Sequence, residues 1–170
     1  MGRAAAQSER NGAGRFLLAA AALVLAISPG TGLAAEGPKG PATPPCIPTR
    51  ADLEGPFYKA DAPPRTSTGS GLTVAGRVLG APDCRPVPGA RVEWWQTDRG
   101  GRYGDDHRGS QAADSDGNYR FTTDFPGAYP GRPPHIHFKA SAPGYRPLTT
   151  QLYLRGGERE VSFPIVLAPR

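Results

Sequence analysis

Turn-forming residues divide this chain into short segments and so limit the elements that it can form. The sequence contains 23 Gly and 20 Pro among 170 residues, and most of them fall between short apolar stretches. In the stretch 72–79 apolar and polar side chains alternate, which is the pattern of a half-buried β-strand. Similar strand-like stretches follow at 90–97, 118–122, 135–140, 149–154 and 161–167. No long amphipathic helix is evident after residue 35. The sequence therefore predicts an all-β fold, an antiparallel β-sandwich of about seven to eight strands.

The first 35 residues have a different composition. Three arginines precede an uncharged apolar run at 16–27, which is followed by a stretch of small residues. This order is typical of a secretory signal peptide, here cleaved after Ala34 or Ala35. The run is too short to cross a bilayer, which requires roughly 20 apolar residues. We therefore predict a signal peptide at 1–35 and an exported protein, periplasmic or extracellular, without a stable membrane span.

Beyond this peptide the chain has room for one domain. We predict a Pro-rich lead-in at 36–50, followed by a single domain at 51–170. Cys46 and Cys84 are an even pair in a chain bound for an oxidising compartment, so we expect a disulfide between them; two separate buried thiols are the alternative. The formal charge of +5 is spread along the chain without a run of Lys or Arg, and it does not predict a nucleic-acid partner.

Two of the three histidines in the sequence fall in the tripeptide His135-Ile136-His137. In a strand, residues i and i+2 project to the same face about 7 Å apart, so both imidazoles can reach one metal ion. Ile136 then points into the core. A pair of histidines on a polar sheet face is the alternative, because a His-x-His tripeptide alone is only moderately specific.

The residues around the histidine pair limit the kind of metal. The nearest carboxylates in the sequence are Asp124 upstream and Glu158 downstream, whereas zinc and ferrous sites would call for Asp, Glu or Cys. Tyr103 and Tyr129 instead lie in Gly- and Pro-rich segments that can aim a phenol at the histidines. Phenolate is a hard anionic ligand whose pKa a trivalent cation depresses, so this combination indicates Fe(III).

These residues belong to a longer series of motifs that resembles the intradiol ring-cleavage dioxygenases. The motifs occur in the order of that family, from about Cys46 to Leu154. They are Gly55-Pro56-Phe57-Tyr58, Val87 to Gln96, Tyr103, Asp116 to Phe121, Pro126 to Pro130, Arg132 to His137 and Thr150 to Tyr153. The chain looks most like the prealbumin-like catalytic sandwich of protocatechuate 3,4-dioxygenase and its smaller exported relatives.

The resemblance implies a ligand set and a reaction. The residues that would hold a non-haem Fe(III) are Tyr103, Tyr129, His135 and His137. Tyr129 would also take a proton from the substrate. Arg132 and Gln151 would form a catalytic pair beside the bound substrate, and Pro56 and Tyr58 would form part of the pocket wall. The implied reaction inserts both atoms of O2 into a catechol-type diol, opens the ring between the hydroxylated carbons and yields a muconate-type diacid without an organic cofactor. The implied partners are the small-molecule substrate and O2, and a homo-oligomer stays open.

A non-catalytic interpretation also has support. The stretch 76–121, with its Pro-Gly-Ala and Asp-Gly-Asn-Tyr turns, also resembles prealbumin-like modules that bind sugars or serve as spacers. Such modules need neither Tyr129 nor the histidine pair with Arg132 before it. The tyrosines and histidines therefore distinguish the two interpretations.

The remaining aromatic and polar residues are expected to be structural. Tyr119 and Tyr153 are predicted to pack on strands, and His107 is predicted to be a solvated loop residue. Trp94 and Trp95 are neighbours on one strand and cannot both face inward, so one of them is expected to line the pocket or a subunit contact.

Overall fold

The structure, a computed structural model, describes residues 46–170 and contains ten strands in that range. The predicted signal peptide and most of the predicted lead-in lie outside the described residues. Residues 46–170 form no helix, and so no helix there is long and apolar enough to cross a membrane. The strands are β1 (Ser67–Thr68), β2 (Leu72–Gly80), β3 (Arg85–Pro86), β4 (Arg91–Thr97), β5 (Tyr103–Ala112), β6 (Asn118–Thr123), β7 (His135–Ser141), β8 (Leu148–Tyr153), β9 (Glu160–Ser162) and β10 (Ile165–Leu167). The prediction of an all-β fold is confirmed.

The strands form two sheets that differ in the direction of their pairings. One sheet has the order β5-β4-β7-β8 and is antiparallel throughout. In the other, β2 pairs antiparallel with β6 and β3 but parallel with β9 and β10, and β1 pairs parallel with β6. The prediction of purely antiparallel pairing is therefore wrong for this second sheet. The stretch 161–167, predicted as one strand, runs along β2 as two short strands separated at Phe163-Pro164, where proline has no N–H to donate to a ladder.

Strand β5, which spans Tyr103–Ala112, has no counterpart among the predicted strands. Its residues are mostly polar, with Gly104 and Gly109 among them, and they show no apolar alternation. The strand lies at the edge of its sheet and shifts register against β4 between Trp95 and Thr97. An edge strand with one side in solvent does not need the apolar pattern on which the prediction depended.

The apolar core draws on strands of both sheets. Trp94 of β4 stacks on Phe121 of β6 with ring centroids 4.0 Å apart, and its indole N–H donates to Thr68 Oγ1 at 3.2 Å. Phe138 and Ile136 of β7 are fully buried in the same cluster. The expectation that Ile136 faces the core is confirmed, and burial of an aromatic ring as large as that of Trp94 contributes roughly 3–5 kcal/mol.

The segment before the first strand is attached to the sheets by covalent and hydrogen bonds. A disulfide joins Cys46 to Cys84 with the two Cα atoms 5.2 Å apart. The Cys46 N–H donates to the Pro82 carbonyl at 2.8 Å, and the Thr49 N–H donates to the Val166 carbonyl at 2.9 Å. Residues 46–54 therefore run along the sheets rather than away from them.

The disulfide makes a measurable contribution to stability. It closes a loop with a sequence separation of 38, so its loss in a Cys46→Ser, Cys84→Ser variant is expected to lower the free energy of unfolding by about 4 kcal/mol. Urea denaturation of the oxidised protein and the variant measures this difference. Reduced wild-type protein is the matched control and should lose a similar amount; a variant as stable as the oxidised protein would contradict the expectation.

Candidate metal centre

The two histidines lie on the central strand β7, which is flanked by β4 and β8. His135 and His137 are 5% and 3% exposed, and their Nε2 atoms are 3.1 Å apart. Ile136 between them points to the opposite face, into the core. Strand alternation therefore turns both imidazoles to one side of the sheet, where they converge.

Tyr103 completes a triangle with the two histidines. It begins β5, opposite Thr97 at the end of β4, just beyond the shift in register. Its hydroxyl oxygen lies 3.1 Å from the Nε2 atom of His135 and 3.1 Å from that of His137. Three donor atoms from two strands thus meet at one point.

Too few hydrogens are available for all three contacts of this triangle to be hydrogen bonds. The Nδ1–H of His135 donates to the Pro133 carbonyl at 2.7 Å, so the Nε2 of His135 carries a lone pair. The hydroxyl of Tyr103 and the Nε2 of His137 supply at most two hydrogens for three contacts. Adjacent ligands that hold one ion at about 2.1 Å and near right angles stand about 3 Å apart, so the three donors fit a shared metal ion.

Burial prepares the histidines to act as ligands. Together with the neighbouring His135 and Arg132, burial lowers the pKa of His137 to about 4, and burial is the largest cause. Burial also lowers the pKa of His135, although the Pro133 carbonyl opposes the shift. Both rings are therefore neutral at pH 7 and present free lone pairs. Among residues 46–170 no group of three His, Cys, Asp or Glu side chains could hold a metal, and the third donor at this point is the hydroxyl of Tyr103.

Aromatic rings pack around the phenol of Tyr103. The ring of Phe57 stacks on it with centroids 4.2 Å apart, and Tyr129 lies edge-on to both rings at 5.6 and 5.7 Å. The buried Arg108 donates to the Phe57 carbonyl at 3.2 Å, and a side chain at Gly55 would meet His137 at 3.4 Å. The segment 55–57 thus closes tightly over the site. Phe57 has no predicted role, although it lies in the Gly-Pro-Phe-Tyr motif at 55–58.

Tyr129 and Arg132 are the two ends of one tight turn. The Arg132 N–H donates to the Tyr129 carbonyl at 2.9 Å, and Gly131 has φ +76°. Proline at the second position and a positive φ at the third define a type II turn, in which glycine avoids the strain that other residues would have. The turn brings the phenol and the guanidinium to the same end of the sheet.

The loop that leads to this turn is tied to the end of β4. Gln96 Nε2 donates to the Asp124 carbonyl at 2.8 Å, and Thr97 Oγ1 donates to the Gly127 carbonyl at 2.9 Å. The Gly127 N–H donates to the Asp98 carbonyl at 2.9 Å. Both Gln96 and Thr97 are buried. The loop is thus fixed up to residue 127, two residues before Tyr129.

Arg132 and Gln151, which the sequence analysis paired, are in contact. Arg132 Nη2 donates to Gln151 Oε1 at 2.7 Å, and Gln151 Nε2 donates to the Leu53 carbonyl at 2.6 Å. Arg132 also donates to the hydroxyl of Tyr153 at 2.8 Å. Tyr153 is 44% exposed, so the prediction that it is a packing residue is wrong. Its ring lies beside that of His135, with the centroids 5.9 Å apart, and its hydroxyl also donates to Asp52 Oδ2 at 3.0 Å.

The residues expected in the pocket wall differ in their contacts. Trp95 stacks on His137 with ring centroids 4.8 Å apart, and Tyr58 packs against Trp95 at 5.0 Å. Pro56 is exposed. Trp94 faces the core and Trp95 faces the site, as expected for neighbours on one strand.

The comparisons with known proteins agree with this geometry. Residues 49–170 match the family model described as Dioxygenase. The chain belongs to the intradiol ring-cleavage dioxygenase family. The resemblance inferred from the motifs is thereby confirmed, and this family is known to use non-haem Fe(III).

Named relatives of this dioxygenase-family chain come from several organisms. It is 34% identical over 142 residues to the 6-chlorohydroxyquinol 1,2-dioxygenase of Cupriavidus pinatubonensis, covering 64% of this chain and 51% of that enzyme. It is 32% identical over 143 residues to catechol 1,2-dioxygenase 2 of Acinetobacter lwoffii, covering 64% of this chain and 52% of that enzyme. The chain thus spans about half the length of these relatives.

A solved structure similar to this dioxygenase-family chain is itself a single domain. It is the dioxygenase domain of a dioxygenase carbohydrate-binding protein fusion from Streptomyces sp. SirexAA-E. The two are 39% identical with a TM-score of 0.66, and the match covers 73% of this chain and 100% of that one. The likeness therefore includes the whole of that dioxygenase domain.

Asp124 anchors the loop that carries Tyr129 in this dioxygenase fold. Its Oδ1 accepts hydrogen bonds from Arg99 at 2.8 Å and from the Ser70 N–H at 3.1 Å, and His107 Nε2 donates to its Oδ2 at 3.1 Å. The side chain of His107 is only 15% exposed, so the prediction that it is a solvated loop residue is wrong. It lies on β5, which the sequence analysis took for a loop.

The hydrogen-bond partners of Asp124 make the free energy of unfolding dependent on pH. The bond from Arg99, together with those from Ser70 and His107, lowers the pKa of Asp124 from 3.8 to about 2. A carboxyl with a lowered pKa stabilises the fold above its unfolded pKa and loses that effect as the pH falls through the folded one. Asp124→Asn is therefore expected to reduce the free energy of unfolding at pH 7 by roughly 2 kcal/mol. Urea denaturation at several pH values should show the difference shrinking below pH ~4; a difference that is constant from pH 7 to pH 3 would contradict it.

Proposed function

We propose that this chain is a non-haem Fe(III) intradiol dioxygenase. It would insert both atoms of O2 into a catechol-type diol and open the ring between the two hydroxylated carbons, giving a muconate-type diacid. The observation that carries the proposal is the triangle of Tyr103, His135 and His137, in a chain of this family. A non-catalytic prealbumin-like module needs no such convergence of phenol and imidazole, so the alternative is not favoured.

The proposed iron ligands are the three donors of the triangle together with Tyr129. The first three are supported by their mutual spacing of 3.1 Å. Tyr129 is supported by its ring, which lies 5.7 Å from that of Tyr103. Burial is the main cause that raises the pKa of the Tyr103 phenol to about 12, so this phenol needs a nearby cation to ionise at neutral pH.

The other residues of the site bind the substrate and move its protons. Ferric iron supplies a Lewis acid that withdraws electron density from the substrate oxygens. As an ionised ligand, the phenolate Oη of Tyr129 would accept a proton from a substrate hydroxyl and become a neutral phenol, which leaves the substrate oxygen ionised. Arg132 would stabilise negative charge that develops on the ring, with Gln151 fixing the guanidinium through the bond of 2.7 Å. Phe57 and Trp95 would exclude water from the two sides that they cover.

The relatives support a catechol-type substrate class. The proteins that this chain resembles are named for catechol, chlorocatechol, hydroxyquinol and 6-chlorohydroxyquinol. All of these carry adjacent hydroxyl groups on an aromatic ring. A ring of this kind matches a site bounded by the aromatic side chains of Phe57, Tyr58, Trp95 and Tyr129.

The proposal extends to architecture and location. We propose that the two sheets pack face to face as a β-sandwich, which is supported by core residues from both, such as Trp94 and Phe121. We also propose that residues 1–35 are a signal peptide and that the protein works in the periplasm or outside the cell. The Cys46–Cys84 disulfide supports export, because such bonds persist in oxidising compartments.

The iron site gives a direct spectroscopic test. Protein purified with iron is expected to be red to burgundy, because phenolate ligands on Fe(III) absorb visible light, and its colour should shift when catechol is added. Tyr103→Phe should weaken the absorption, and His137→Ala should lose iron as well. Tyr145→Phe is the matched control, since this tyrosine packs beside Gly80. Consumption of one O2 per catechol, with formation of a diacid, tests the reaction; a colourless protein that takes up no iron would refute the proposal.

The turn at 129–132 can be tested with a matched pair of glycines. Gly131 has φ +76° and Gly144 has φ +81°; each follows a proline, and no atom would meet a new side chain within 4 Å. Alanine at either position is expected to cost about 1 kcal/mol of stability through backbone strain. Only Gly131→Ala displaces Tyr129 and Arg132, so its kcat/KM for catechol should fall about tenfold while that of Gly144→Ala stays unchanged.

Asparagine provides the second arm of this comparison. Asn tolerates the left-handed region better than Ala, so Gly131→Asn should recover much of the lost kcat/KM. Equal activity of Gly131→Ala and Gly144→Ala would show that the turn does not position the site.

A further inference from the structure

Arg132 is held by a second chain of hydrogen bonds besides its bond to Gln151. The same nitrogen, Nη2, donates to Gln151 Oε1 at 2.7 Å and to the Tyr153 hydroxyl at 2.8 Å. The Tyr153 hydroxyl in turn donates to Asp52 Oδ2 at 3.0 Å. A phenol has a single hydrogen and accepts at its oxygen, so this chain runs in one direction, from Arg132 through Tyr153 to the carboxylate of Asp52.

The register of β8 brings Tyr153 to this position. Gln151 and Tyr153 are two residues apart, so both project to the face of the sheet that carries the histidines. Gln151 pairs with His137 and Tyr153 pairs with His135 on the neighbouring strand. The exposed fraction of 44% argues that Tyr153 serves through its hydroxyl rather than through burial of its ring.

Asp52 is fixed by bonds of its own. Its N–H donates to the Thr149 carbonyl at 2.9 Å, and its Oδ1 accepts the Leu53 N–H at 2.7 Å. The Leu53 carbonyl accepts the amide of Gln151 at 2.6 Å. Arg132 therefore donates to two side chains, of which Tyr153 is bonded to Asp52 and Gln151 to the Leu53 carbonyl. The segment that contains these two acceptors forms the outer layer of the site.

We propose that Tyr153 and Asp52 are positioning residues that set the direction of the Arg132 guanidinium. The inference rests on the proposed function, because that function places Arg132 beside the bound diol. Both bonds engage Nη2, while Nε and Nη1 donate no hydrogen bond within residues 46–170. Those two nitrogens can then donate to a ligand. The carboxylate of Asp52 stabilises the guanidinium charge through the hydroxyl of Tyr153.

Binding without turnover separates this role from catalysis. Catechol is titrated calorimetrically into iron-loaded protein in the absence of O2, so that the ring cannot be cleaved. Tyr153→Phe removes both hydrogen bonds of the phenol, the one from Arg132 and the one to Asp52, and is expected to weaken binding about tenfold. Asp52→Asn keeps an acceptor but loses the charge, and a smaller loss of about threefold is expected. Tyr145→Phe removes a hydroxyl elsewhere and should bind as the wild type does.

A double-mutant cycle then identifies the route by which Tyr153 acts. If Tyr153 acts through Arg132, then Tyr153→Phe should cause no further loss of affinity in an Arg132→Ala background. The same tenfold loss in that background, or wild-type affinity of the single variant, would overturn the assignment. The melting temperature of Tyr153→Phe should match that of the wild type, and a fall that accounts for the weaker binding would also overturn it. A wild-type protein that binds no catechol would instead refute the proposed function itself.

Discussion

Three strands meet at the site in a fixed register: β7 lies between β4 and β8, and His137 stands opposite Trp95 on one side and Gln151 on the other. A slip of one residue would turn both histidines into the core and bring Ile136 to the site. The burial of Ile136 and Phe138 prevents such a slip, because their apolar surface is fully covered only in the observed register. Burial of the apolar side chains of β7 therefore also determines that its two histidines point to the site. The convergence of the two imidazoles is thus a consequence of core packing.

The site combines this rigid sheet with residues from irregular segments. Tyr129 and Arg132 extend from a turn whose preceding loop is bonded to the end of β4, and Phe57 belongs to a segment held by the buried Arg108. In each case a buried donor holds a backbone carbonyl. Such anchoring gives loop residues a defined position without placing them in the sheet, which leaves their side chains free to contact a ligand.

The sequence predicted the parts of the fold and site that follow from local pattern. The alternation at 72–79 and the His-x-His spacing were sufficient for β2 and β7, because period two is a property of the strand itself. β5 was missed, since an edge strand rich in polar residues lacks that pattern, and His107 was therefore misassigned. Tyr153 could not be assigned from the sequence either, because its role depends on Asp52, which is distant in the chain and adjacent only in the folded sheet.

The disulfide between Cys46 and Cys84 has a meaning beyond its contribution to folding stability. Cys46 lies in the same segment as Asp52 and Leu53, which hold the partners of Arg132. If the bond is absent, this segment is retained only by hydrogen bonds such as that from Thr49 to Val166, while the sheets and the histidines on β7 keep their own packing. A chain matured under reducing conditions would therefore keep the two histidines in place, whereas the segment that bonds Gln151 and Tyr153 would be loosened. Oxidative maturation and the position of the Arg132 side chain are thus linked through one short stretch of backbone.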